Sequence, residues 1–106
     1  MQLVAFPQLG LEHPAAPGLL ADAMALGAAV VGGCPYVDTD PAAHLDLVFA
    51  LADRHQAPVD LHLDFSDEPG RSQLPLVVER TRALGLAGRV VVAWIVTIPG
   101  AGIAAA

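Results

Sequence analysis

Lysine is absent from the sequence, and five arginines stand against eleven acidic residues, giving a net charge of −6. A phosphate backbone is gripped by clustered basic side chains, so nucleic acid is not an expected partner. Cysteine occurs once, at Cys34. That excludes an internal disulfide and a Cys-rich zinc cluster, and it agrees with a reducing compartment. No run of about 18 apolar residues is free of Pro, Gly and charge, and the first residues lack the basic start of a secretory signal. No membrane partner is expected, and the cytoplasm is the expected location. Neither GxGxxG nor GxxxxGK[ST] occurs, so the usual marks of dinucleotide and nucleoside triphosphate sites are missing. Gly32-Gly33 is too short for a phosphate loop and reads as strand passing into loop. HxH and HExxH are also missing.

What is present suits a buried α/β core. Hydrophobic residues make up 55% of the chain and charged ones 15%, which argues against disorder. At 106 residues the chain is one domain or part of one, short of the ~250 residues of a complete (β/α)8 barrel.

One rhythm recurs: a short apolar run, a turn, then a helical pattern. The runs are Leu3-Val4-Ala5-Phe6, Ala29-Val30-Val31-Gly32, Val59-Asp60-Leu61-His62-Leu63 and Val90-Val91-Val92-Ala93. Runs this apolar are what parallel strands buried on both faces look like. The first helix is expected over about Pro17 to Leu26, with Leu19, Leu20, Ala23 and Met24 inward and Gly27 as its stop. The second opens with Asp40 as N-cap and Pro41 at the first position, and turns Leu45, Val48, Phe49 and Ala52 inward. It ends near Gln56, before Pro58. The third runs from about Ser72 to Leu84 with Leu74, Val77, Val78 and Thr81 inward, and stops at Gly85. The order β-α-β-α-β-α-β fits half of a barrel or a small doubly wound sheet, and the pattern does not choose between them.

In parallel α/β architectures functional groups gather at the carboxyl ends of the strands. Those positions hold Gln8, Cys34 to Tyr36, His62 with Asp64, and Trp94. Period-two alternation puts Asp60, His62 and Asp64 on one face of the third strand and Leu61 and Leu63 on the other. An imidazole at a strand end, oriented by a nearby carboxylate, is a workable metal ligand. A hydrogen-bonded core histidine satisfies the same pattern, and one histidine is not a metal site, since catalytic zinc takes three protein ligands. His13, His44 and His55 fall in a loop, a helix start and a helix end, and are expected at the surface.

The stretch Met1 to Gln8 resembles the VAFPQ segment of bacterial cytosine deaminases, and Val59 to Asp64 resembles their later D-x-H-x-D segment. Val30-Val31-Gly32-Gly33-Cys34-Pro35 midway and Gly88-Arg89-Val90 near the end stand in the matching register. Residues 1–93 therefore resemble the cytosine-deaminase-like amidohydrolases. The resemblance implies a partial TIM barrel, with this chain supplying the third to sixth strands. It implies a hydrolase that opens a cyclic C–N bond of cytosine or a related heterocycle such as a triazine. It also implies a divalent metal, zinc or iron, held by an HxH pair on the first strand, a histidine on the fifth and an aspartate on the eighth. His62 matches the fifth-strand ligand, and Gln8 matches the glutamine that hydrogen-bonds the pyrimidine ring.

Departures accompany the matches. The family's glutamate three residues after the fifth-strand histidine is replaced by Phe65, with Asp67 and Glu68 nearby. The sixth-strand histidine is replaced by Trp94, and Asp64 is left as the remaining candidate for acid/base work. Met1 falls just before the third strand, and residues 94–106 depart from the family, so an internal piece with an aberrant or truncated tail is expected. Such a piece is expected to lack activity, to retain no metal by itself and to self-associate through its open sheet. The rival readings are a non-catalytic remnant and a self-contained small α/β module, either of which binds a small heterocycle.

Overall fold

The computed structural model describes residues 2–64 and 72–95. Its elements follow the order β1 (Val4–Ala5), α1 (Ala16–Ala25), β2 (Val30–Gly33), α2 (Pro41–His55), β3 (Val59–Asp64), α3 (Leu74–Ala83) and β4 (Val90–Ile95), with one 3-10 turn at Pro35–Val37. All neighbouring strands are parallel, and their spatial order is the sequence order, β1-β2-β3-β4. The α/β arrangement of four parallel strands and three helices is the expected one. Sequential order also decides between the two architectures left open above, because a doubly wound sheet reverses its order at a switch point and a barrel wall does not.

Local chemistry explains the helix ends. The Asp40 carboxylate accepts the Ala43 N–H at 3.0 Å, and Pro41, which has no N–H to satisfy, takes the first helical position of α2. Gln56 closes α2 in the left-handed region at φ 51°, its side-chain amide donating to the Asp53 carbonyl at 2.7 Å. Arg54 and His55 in the last turn sit at the negative end of the helix dipole. Gly27 and Gly85 follow α1 and α3 with positive φ, as a C-terminal stop requires. α3 begins at Leu74 rather than Ser72, because the Ser72 hydroxyl accepts the Leu74 N–H from outside the helix.

The core lies between the sheet and α2. Leu45, Val48, Phe49 and Ala52 are buried, as the periodicity predicts, against Val31, Val59, Leu61 and Leu63. The outer helices differ from expectation. Leu20 and Met24 of α1 and Val77 of α3 are buried, but Leu19 is 67% exposed and Val78 is exposed too. Each outer helix has a described neighbour on one side only, so its apolar stripe is half covered. The edge strands follow the same logic. Val4 and Val91 are exposed, although their apolar runs predict burial on both faces. β1 is shorter than its run, and β4 continues two residues past Ala93.

Gly32 and Gly33 are set by packing rather than by the passage from strand to loop. A Cβ on Gly32 would collide with the Phe6 ring, and one on Gly33 would press on Leu61 and Val48. At these two positions the faces of β2 have no room for a side chain.

Candidate functional site

The carboxyl ends of the strands gather the loops after β1 and β2 on one side of the sheet. Alternation along β3 is as expected: Val59, Leu61 and Leu63 are buried towards the helices, while Asp60 and His62 are half-buried on the helix-free face. The His62 ring packs on Phe6, with centroids 4.7 Å apart and planes tilted by 52°. Phe6 reaches it across Gly32, the residue whose missing side chain leaves the path open. Gln8 lies two residues beyond Phe6, exposed, in a turn closed by Gln8 N–H to the Phe6 carbonyl at 3.0 Å and Gly10 N–H to the Pro7 carbonyl at 2.9 Å. The positions of Gln8 and His62 are thus linked through Phe6. Asp64 ends β3 in register with Ile95; Ala93 is the partner of His62, and Trp94 is the partner of Leu63. Phe65, Asp67 and Glu68 lie outside the described residues, as do residues 96–106.

His44 corrects the sequence reading. It was expected at the surface and is 1% exposed. Its Nε2 accepts the backbone N–H of Cys34 at 3.0 Å, which leaves the ring proton on Nδ1 to be donated to Asp38 Oδ2 at 2.7 Å. Asp38 in turn accepts the Leu11 N–H at 2.9 Å, and Glu12 accepts the Thr39 and Asp40 N–H groups and the Thr39 hydroxyl. The loops after β1 and β2 are therefore clasped by charge-assisted hydrogen bonds reaching both ways. The missed signal was in the pattern. His44 stands four residues before Val48 and next to Leu45, on the apolar stripe of α2, and a helix side chain in the first turn leans back toward the preceding loop.

Cys34, His44 and Asp38 have the composition of a nucleophilic triad but not its geometry. The imidazole holds the backbone of Cys34, and the thiol donates instead to the Pro7 carbonyl at 3.1 Å. Burial first, then the Asp38 charge, pushes the thiol up to about 11. A nucleophilic cysteine is lowered, not raised, so Cys34 is structural. Both His44 nitrogens are used, and no lone pair is left for a metal. The raised thiol predicts slow alkylation. Iodoacetamide at pH 8 should modify folded Cys34 about 100-fold more slowly than the urea-unfolded chain, and equal rates would contradict the burial. The same shift predicts that the neutral thiol's contribution to stability is complete below pH 9 and lost as the pH rises through 11, because the unfolded chain ionises first.

Among the described residues no group of three or more His, Cys, Asp or Glu converges as a metal site. A cleft of about 440 Å³ opens between β1 and α1, with Phe6, Leu9, Leu19 and Leu20 in its wall. Neither His62 nor Gln8 lines it.

No family model matches the chain, and no curated protein matches it. Solved structures do. The 5-methylcytosine deaminase of Klebsiella pneumoniae, liganded with phosphonocytosine or with 5-fluorocytosine, matches at a TM-score of 0.80 and 33% identity over 87% of this chain. The N-isopropylammelide isopropylaminohydrolase of Burkholderia multivorans matches at 0.80 and 40% identity over the same share. The chain spans 23% of the first structure and 24% of the second. Both are TIM-barrel hydrolases acting on C–N bonds. With the fold, the strand order and this level of identity in agreement, the chain belongs to the amidohydrolase superfamily.

Proposed function

We propose that this chain is a wall of an amidohydrolase site that hydrolyses a cyclic C–N bond of a cytosine-like heterocycle. In this reading His62 offers one nitrogen to a divalent metal, zinc or iron, and Gln8 hydrogen-bonds the substrate ring through its amide. The observation that carries the reading is the placement of His62, half-buried at the carboxyl end of β3 on the helix-free face, in a fold matched by a cytosine-type deaminase. Phe6 positions the imidazole by packing on its ring. One imidazole falls short of the three protein ligands that a catalytic zinc takes. The described residues therefore do not hold a metal by themselves, and no water or proton step is assigned to one. Asp64, at the end of β3, is the remaining acid/base candidate.

Two measurements test this. The purified chain, given cytosine and added zinc or iron, should release no ammonia above buffer and should lose any added metal on dialysis. Turnover abolished by His62→Ala, or stoichiometric metal after dialysis, would show the site to be complete after all. For the role of His62, a chimera carrying residues 2–93 in place of the matched segment of the Klebsiella enzyme should bind zinc. His62→Ala in that chimera should weaken binding by about 10-fold or more. Unchanged metal affinity would remove His62 from the ligand set.

A further inference from the structure

We propose that His44, acting through Cys34 and Asp38, is the positioning residue that aims Gln8 at the ring of a bound heterocycle. The inference rests on the reading of Gln8 given above and extends it to three residues outside the proposed contact. Gln8 stands at the first central position of a four-residue turn, Pro7 to Gly10, closed by the Gly10 N–H on the Pro7 carbonyl at 2.9 Å. An exposed turn at a strand end belongs by default to the mobile part of a fold. This one is tied on both sides of Gln8. Before it, the Pro7 carbonyl accepts the Cys34 thiol at 3.1 Å, and after it, the Leu11 N–H donates to Asp38 at 2.9 Å.

Both ties lead to one side chain. His44 Nε2 accepts the Cys34 N–H at 3.0 Å, which fixes the backbone from which the thiol reaches Pro7, and its Nδ1–H holds the Asp38 carboxylate at 2.7 Å. The imidazole is fully buried, so water does not compete for either bond. A buried polar pair of this kind gains little over apolar packing of the same volume. What full satisfaction of its donors and acceptors adds is a single permitted geometry. Gly10 completes the fit, because its missing Cβ is the space that the Asp38 carboxylate takes. Upstream, the Phe6 ring on His62 holds the same segment to β3, so the turn of Gln8 and the candidate metal ligand share one frame.

Ring recognition needs such a frame. A glutamine amide carries its donor and its acceptor on one planar end. It meets paired N–H and C=O groups of a ring together only when the backbone behind it stands at a fixed distance. A displacement of about 1 Å is enough to cost roughly 100-fold in a positioned reaction.

Loss of His44 also opens a cavity, so the test acts on the two ties. In the isotope-labelled 106-residue chain the Gln8 amide should be as ordered as the strands, with an order parameter of about 0.85. Cys34→Ala and Asp38→Ala should each lower it to about 0.6 or less while the amides of β3 stay rigid. Cys34→Ser should restore it, because a hydroxyl again donates to the Pro7 carbonyl, whereas a role in packing alone would treat serine and alanine alike. The link to recognition is read in the chimera described above, loaded with zinc, as the affinity for 5-fluorocytosine. Cys34→Ala should weaken it about 10-fold, and the loss should disappear when Gln8 is already alanine, as expected of residues that act as one unit. Unchanged affinity in Gln8→Ala would remove the ring-binding reading, and this inference with it. A Gln8 amide that stays rigid in both alanine variants, or a Cys34→Ala loss that persists without Gln8, would overturn the inference alone.

Discussion

Replacing His44 with alanine is expected to destabilise the chain by about 4 kcal/mol, a large share of the stability of a domain this size. Two losses add. Removing a fully buried ring leaves a cavity beside Gly33, and cavities of this size cost about 2 kcal/mol or more. The Cys34 N–H then loses its acceptor and the Asp38 carboxylate its imidazole donor, at about 1 to 3 kcal/mol for each buried group left unpaired. A domain of this size commonly has only about 5 to 15 kcal/mol in total. His44→Phe separates the two terms, since it refills the volume and restores neither hydrogen bond. Urea unfolding of the three proteins at one concentration measures this, fixed so that association does not shift the midpoint. A loss under about 1 kcal/mol for His44→Ala would mean that the clasp carries little of the fold's stability.

The central α-β layer was legible because its signals are local and reinforce each other. Asp40 and Pro41 set the start of α2, the i, i+3, i+4 spacing of Leu45, Val48 and Phe49 set its face, and the Leu61 and Leu63 alternation set the register of β3. The edges were read too buried. Leu19, Val78 and Val91 carry the periodicity of core residues, but burial at an edge depends on whether a neighbour exists, and periodicity does not report neighbours. In the candidate site, the positions of His62 and Gln8 could be read from strand ends and from the resemblance. The packing of Phe6 on His62 could not, because it runs across β2 between residues 56 positions apart. The clasp of Asp38, His44 and Glu12 escaped for the same reason. It joins two loops 27 residues apart, and its one local hint, a histidine on an apolar stripe, looked like a polar residue at a helix start.

Gly10→Ala is expected to cost about 4 kcal/mol, several times the cost of the same change at Gly27. Both glycines hold positive φ, 88° and 111°, where any other residue is strained by about 1 to 2 kcal/mol. They differ in what surrounds the missing Cβ. At Gly27 nothing lies within 4 Å, so strain is the whole penalty. At Gly10 the new methyl would occupy the space of the Asp38 carboxylate. To make room, Asp38 must give up the Leu11 N–H at 2.9 Å and swing away from His44, and the buried imidazole is then left with an unmet donor. The loop carrying Gln8 would lose its tie to the loop after β2, so the effect should also be visible locally. Hydrogen exchange at the Leu11 and Cys34 amides should accelerate in Gly10→Ala and stay near wild type in Gly27→Ala. Equal destabilisation by the two substitutions, or protected amides in the Gly10 variant, would mean that Asp38 has another position available and that the clasp does not fix the loop.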